Sequence, residues 1–438
     1  MIKKDLTLDK WYRMDNSAVI YPMSITPATQ SLFRLTAELK SHIDEELLQA
    51  AVINILPRFP SFKVQLRSGF FRYYFDDNEH KPLVFRDNGI LHQKINFSQN
   101  NHFLFRICYF KRKISADFFH ALCDGSGAME FMKALVFQYL RETGIALLPD
   151  EKIKLAEDEP LVEEQEDSFV KHAKKLRISS GAIARLAGTT AVQIRGKKFR
   201  GLGYGLIQGN LIAEELAALS KKYKCSVTVL VAANALLSVA ETLPQGNHKH
   251  DLVVMIPVDL RRFFKSSTLN NFTTVVRCSV NPNRLPLTLR DYCRHIQEQL
   301  KAQLDKEGLE EKLSLATVMG LKWYMKIMPL ALKSFFIKLG KLLSGETKQT
   351  MIVSNLGIAT MPDGTEEYLD SFAFNPNVSF KAPKNIGLVS YEGKTTISFT
   401  RAIVSTEIER RFFTRLSKEG LSVEIISNLR EVSANFMP

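Results

Sequence analysis

The sequence predicts an α/β protein built as two sandwich-like halves, and three observations carry that expectation. Strand-like alternation and helix-like periodicity follow one another in both halves of the chain. A strand runs directly into a helix at His120-Ala121-Leu122-Cys123-Asp124-Gly125. With 438 residues, 45% hydrophobic and 24% charged, the chain has enough apolar material for two cores. The expected division is a first subdomain over 1–150, an acidic then basic crossover over 151–200, and a second subdomain over 201–438.

In the first half, Asp44 can cap a helix over 45–56, and strands are expected near 62–66 and 70–75. A hairpin follows, with strands over 103–110 and 114–119 joined by the charged turn Lys111-Arg112-Lys113. From Gly125 onward Ala128, Phe131, Met132, Leu135, Val136, Tyr139 and Leu140 recur at helical spacing, with Gly144 as the stop. In the second half a helix is expected over 210–223, and Ser226 can cap a buried helix over 227–241. Strands are expected over 252–257, 273–280, 350–355, 371–374, 386–391 and 394–401, the last two joined by a plain hairpin at Glu392-Gly393-Lys394.

His120 would project from the strand end, held by a sheet on one side and a helix on the other. A neutral imidazole there suits general-base work, because its proton affinity lies near neutrality. Gly125 permits a tight turn and close approach of a ligand, and the Asp124 carboxylate can brace the loop against a distant cation. The competing interpretation is a structural histidine at a strand-to-helix turn. Cys123, inside the same run, reads as a small buried filler rather than a nucleophile.

This run resembles the His-x-x-x-Asp-Gly motif of the chloramphenicol-acetyltransferase-like acyltransferases, which include peptide-synthetase condensation domains and bacterial alcohol acetyltransferase-like proteins. Other segments agree in order and spacing over nearly the whole chain. Trp11-Tyr12-Arg13-Met14-Asp15-Asn16 looks like the opening of the alcohol acetyltransferase-like branch, and Leu56-Pro57-Arg58-Phe59-Pro60-Ser61-Phe62 like an early condensation-domain element. Pro257-Val258-Asp259-Leu260-Arg261-Arg262-Phe263, Asn270-Asn271-Phe272 and Val353-Ser354-Asn355-Leu356-Gly357 resemble later elements. Phe119 stands where condensation domains usually carry a first histidine, and the late Asp-Phe-Gly-Trp-Gly signature of plant members is missing.

The resemblance implies two chloramphenicol-acetyltransferase-like α/β sandwiches with mixed sheets and an active-site channel at their interface. It implies acyl transfer from a thioester donor, acyl-coenzyme A or an acyl chain on the phosphopantetheine of a carrier protein, to a small or lipid-like alcohol or amine. His120 would be the base, no acyl-enzyme would form, and no cofactor would be permanently bound. By the same resemblance Asp124 and Gly125 support the site and Asp124 pairs with Arg261. Asn271, Ser354 and Asn355 are candidates for oxyanion or substrate contacts. Rival readings are a condensation-type enzyme restricted to carrier-bound substrates, and a binding protein that keeps the fold without turnover.

The net charge of +13 is unevenly spread. Acids dominate from Glu142 to Asp167, which reads as a solvated linker, and from Ser168 to Ala213 there is no acid at all. Lys197, Lys198 and Arg200 in the basic stretch are candidate contacts for donor phosphates. Few aromatics accompany them, so nucleic acid is not an expected partner. Five cysteines without metal-ligand spacing fit reduced thiols, no metal site is expected, and with no apolar signal segment the expected location is the cytoplasm. Residues 313–343 are helix-prone, strongly apolar and studded with lysines, and Pro329 should split them. They read as a lid over an apolar tunnel, a peripheral membrane contact, or a core helix pair.

Overall fold

The structure, a computed structural model, describes residues 11–428 apart from 13, 16, 26–29, 174–188, 200–203, 245, 285–287, 322–326, 341–345 and 380–381. The first half contributes β1 (Trp11–Tyr12), α1 (Ile20–Met23), β2 (Leu32–Leu39), α2 (Glu45–Ile55), β3 (Val64–Ser68), β4 (Tyr73–Asp77), β5 (Val84–Arg86), β6 (Phe105–Phe110), β7 (Lys113–Phe119), α3 (Gly125–Glu142) and α4 (Ser168–His172). The second begins with β8 (Gly205–Ile212), α5 (Ala213–Lys222), α6 (Val227–Ala240), β9 (Leu252–Asp259), β10 (Thr273–Val280), α7 (Leu289–Gln303), α8 (Lys306–Leu321) and α9 (Leu330–Gly340). It ends with β11 (Met351–Ile358), β12 (Leu369–Asn375), β13 (Lys384–Tyr391), β14 (Lys394–Arg401), α10 (Glu407–Lys418) and β15 (Val423–Ser427).

Both larger sheets are mixed. One runs β12-β2-β7-β6-β5, the other β10-β9-β11-β13-β14-β8-β15, and β1-β4-β3 form a small third sheet. β5 lies parallel to β6, and β11 lies parallel to both β9 and β13. β12 comes from the second half of the chain yet pairs antiparallel with β2, Phe374 opposite Leu35. One strand of the 201–438 stretch therefore completes the first sheet and draws the two halves together.

Each large sheet has its own core. Leu35, Ala37, Phe118, Phe131 and Leu135 belong to the first, where β2 and β7 meet α3. Val231, Leu236, Val254, Val353 and Ile397 belong to the second, which encloses the alanine- and leucine-rich α6. Phe62 stacks on Phe131 at 4.9 Å, while Phe105 and Phe118 lie 5.2 and 6.1 Å from the same ring. Aromatic pairs of this kind contribute about 0.5–1.5 kcal/mol each beyond their buried area. Here they fix α3 against β7, and so fix the turn between them.

Several expectations change. Residues 210–212 belong to β8, and the helix expected from 210 starts only at Ala213. Pairing holds them there, Asn210 opposite Thr396 and Leu211 opposite Thr395 of β14, and Gly209 lets helix α10 approach the sheet, since a Cβ there would sit 2.2 Å from the Phe413 ring. The acidic stretch is not wholly solvated, because Glu164 is buried between Arg58 at 2.6 Å and Lys154 at 2.8 Å. All five thiols are free, and burial pushes Cys123 well above its ordinary pKa, away from nucleophilic use. Among the described residues no cluster is built to hold a metal ion, and no single helix is long and apolar enough to cross a membrane.

Candidate active site

The turn at His120 is assembled from local chain chemistry. Asp124 is the N-cap of α3, its carboxylate accepting from Gly127 N at 3.0 Å, which stops the strand and starts the helix within five residues. His120 N donates to Ser31 O at 2.8 Å, tying the end of β7 to the approach to β2. The imidazole stacks on Tyr21 of α1, centroids 4.5 Å apart at 10°, and meets Phe33 edge-on at 5.1 Å. Phe374 of β12 backs Phe33 at 6.0 Å, so the strand contributed by the second half stands behind the histidine.

The polar partners of the ring come from far along the chain. Nδ1 of His120 lies 3.1 Å from Oδ1 of Asn271, and Nδ2 of Asn271 donates to Oδ2 of Asp15 at 3.2 Å. Asp15 is buried and also accepts from Ser17 N, Ser17 Oγ and Ala18 N. An ionised carboxylate only accepts, so it compels Asn271 to present its N–H there and its carbonyl oxygen to the histidine. His120 must then carry its proton on Nδ1, which leaves the Nε2 lone pair free as a base. Burial lowers the pKa of His120, outweighing its own backbone carbonyl, the Asp124 charge and Asn271, and keeps the ring neutral near pH 7. Burial raises the Asp15 carboxyl to about 6 against its hydrogen bonds to Ser17, Ala18 and Asn271.

Asp124 is engaged elsewhere. Its two oxygens meet Arg261 Nη1 at 2.9 Å and Nη2 at 3.2 Å, and it accepts from Phe272 N at 2.8 Å. Arg261 also donates to Asp259 Oδ1, Thr268 O and Asn270 O. Burial alone would lower the guanidinium pKa, but Asp124 and Asp259 overcome it and hold the group charged. Ser126 Oγ adds a bond to Asp259 at 2.8 Å. Gly127 is closed against the same segment, since a Cβ there would lie 2.0 Å from Leu269 O; at Gly125 it would meet the Leu356 side chain at 2.5 Å.

Of the residues singled out from sequence, His120 and Asn271 meet each other, and Asp124 meets Arg261. Asn271, expected among oxyanion or substrate contacts, gives its carbonyl oxygen to His120 and an N–H to Asp15. Asn355, expected in the same role, donates to Thr228 Oγ1 and accepts from Gly357 N, both within the second half. Ser354 is half-buried on β11, opposite Gly387. Lys197 and Lys198 are exposed and lie beside Val404 and Ile403, past the end of β14 remote from the first core. Arg200 falls outside the described residues. Asp15 was read from sequence only as part of a motif.

Two cavities bear on the expected channel, the first reaching the β6–β7 turn at the far end of β7 from His120 and the second lying at the start of α3. One of about 560 Å³ opens between the large sheets, lined by Arg34, Thr36, Ser115, Gln208, Asn375 and Thr396 among others. The other, about 340 Å³, is lined by Ser126, Gly127, Asp259, Arg261 and Leu356. His120 lines neither, and the chain runs from the first cavity at Ser115 through His120 to the second at Ser126.

No family model and no curated protein matches the sequence. Solved structures do match in fold. The TRI101 protein of F. sporotrichioides complexed with coenzyme A and T-2 superposes with a TM-score of 0.62 at 11% identity, over 95% of this chain and 100% of that one. Polyketide synthase associated protein 5 from Mycobacterium tuberculosis gives 0.59 at 14%, over 92% and 96%. The starter condensation domain of rhizomide synthetase in complex with C8-CoA and Leu-SNAC gives 0.55 at 11%, over 93% and 94%. The chain thus shares the fold of these proteins, the chloramphenicol-acetyltransferase-like fold.

Proposed function

We propose that the protein transfers an acyl group from a thioester donor, acyl-coenzyme A or an acyl-carrier protein, to an alcohol or amine. The observation that carries this reading is the Asp15–Asn271–His120 chain, which leaves one neutral ring nitrogen, Nε2, as the proton acceptor. Nε2 removes the acceptor's proton as its oxygen or nitrogen attacks the thioester carbonyl. Collapse of the tetrahedral adduct breaks the C–S bond, and the imidazolium returns the proton to the departing thiolate. Tyr21 and Phe33 hold the ring plane, and the Asp124–Arg261 pair braces the turn without touching the reacting atoms.

Neighbours caught with coenzyme A or C8-CoA support the donor class. The test is thiol release from a panel of acyl-coenzyme A donors set against acyl-carrier donors, with and without alcohols and amines. Acceptor-dependent release is expected, and none with any donor would overturn the reading. Lys197, Lys198 and Arg200 are proposed to meet the donor's phosphates at the far end of its pantetheine arm. Neutralising the three together should raise KM for coenzyme-linked donors, more at low salt, and leave kcat unchanged.

The site also sets a pH dependence. Competent enzyme has Asp15 ionised and His120 neutral, and both conditions fail as pH falls, so kcat should drop on the acid side with a component near pH 6 from Asp15. Asp15→Asn still accepts from Asn271 through its carbonyl but cannot titrate, so that component should vanish and leave only the limb of His120, which burial places below the ordinary histidine range. A pH–rate profile identical to that of the unsubstituted protein would show that Asp15 does not govern the histidine.

A further inference from the structure

The segment 313–343 has a described portion that the proposed chemistry does not use. α9 presents Leu332, Phe335 and Phe336 to solvent, the two phenylalanines 59% and 53% exposed. Beside it the β3–β4 turn presents Phe70, 71% exposed, and Phe71. The two elements are joined: Leu330 N donates to Phe70 O at 2.8 Å, and Lys333 Nζ to Phe71 O at 2.6 Å. Ile327, just before α9, adds to the same exposed apolar surface.

The helical segment carries charge of one sign in its sequence, while at the turn Arg67 pairs with Asp76 at 3.3 Å. From Lys312 to Gly345 the sequence contains no acidic residue, and the β3–β4 turn is bounded by Arg67 and Arg72. Exposed aromatic rings on an acid-free, lysine-rich stretch of sequence match the boundary of an anionic bilayer, where rings enter the headgroup region and cations meet lipid phosphates. The surface also adjoins the active site. α1 packs against α9, and it carries the exposed Ile20 next to Tyr21, the residue stacked on His120.

We propose that Phe70, Phe71, Ile327, Leu332, Phe335 and Phe336 dock the protein on an anionic lipid bilayer, and that the acceptor is an amphiphilic alcohol or amine taken from that bilayer beside His120. The second clause rests on the acyl-transfer reading; the first does not. Co-sedimentation of the full chain with vesicles of phosphatidylcholine plus phosphatidylglycerol, against phosphatidylcholine alone, tests the docking. Binding should favour the anionic vesicles and weaken with added salt. Replacing Phe70, Phe71, Phe335 and Phe336 with Ser should weaken it about tenfold or more, with an unchanged circular-dichroism spectrum and melting temperature. His120→Ala should bind vesicles as the unsubstituted protein does, so that failure of catalysis and failure of docking are read separately. Equal binding by the four-fold variant, no preference for anionic vesicles, or a dimer of the unsubstituted protein that the Ser substitutions dissociate would overturn the docking. Docking without acyl transfer to any vesicle-borne alcohol or amine would overturn the acceptor clause alone.

Discussion

His120→Ala should leave the fold intact and reduce acyl transfer at least about a hundredfold, the usual scale for loss of a positioned general base. The imidazole is held by stacking and one side-chain bond at the end of β7, so its removal leaves the turn to the backbone bond from His120 N and to the Asp124 cap. Thiol release and the melting temperature, measured on the same preparation, separate chemistry from folding. Near-normal turnover in a folded variant would remove His120 from the mechanism. Asn271→Ala is the companion change: it keeps the base but frees its tautomer, so kcat should fall with little change in KM.

Asp124→Ala should cost stability as well as activity. The carboxylate is buried with four hydrogen bonds, two from Arg261 and one each from Gly127 N and Phe272 N. Removing it takes from a largely buried guanidinium its bidentate partner and leaves it Asp259 and two backbone carbonyls, at a cost on the order of 3–5 kcal/mol. The N-cap of α3 is lost as well. Chemical denaturation reads this directly, and a variant as stable as its parent would show that the pair does not brace the turn. The loss of turnover should follow unfolding of the loop, and because the Asp124 charge holds the His120 pKa up, the acid limb of whatever turnover remains should move to lower pH.

The legible parts of the fold were those encoded locally. The β6–β7 hairpin, the Asp124 cap and the periodic face of α3 are contiguous signals, and so is the β13–β14 hairpin, where Glu392 and Gly393 both take positive φ. β2 carries a signal of the same kind, with Phe33, Leu35, Ala37 and Leu39 alternating with Arg34, Thr36 and Glu38 along it. The pairing of β12 with β2 was not legible, because an alternating strand carries no mark of the sheet it joins. The same limit hid the role of Asp15, which lies 256 residues from Asn271 in sequence. Asn271 could be singled out as polar and near the site, but only the carboxylate behind it shows which way its amide faces. Lys197 and Lys198 follow the opposite course: a basic run is obvious in sequence, whereas its distance from the motif depends on the strand ends where it docks.

The central claim is direct transfer assisted by a neutral histidine, and a single rapid-quench turnover tests it most directly. The protein is mixed with acyl donor and acceptor, quenched at intervals, and its intact mass is read alongside released thiol and acylated acceptor. Thiol and acylated acceptor should rise together while the protein mass stays unchanged. An acyl adduct on the chain that forms before the product and decays into it would contradict the account.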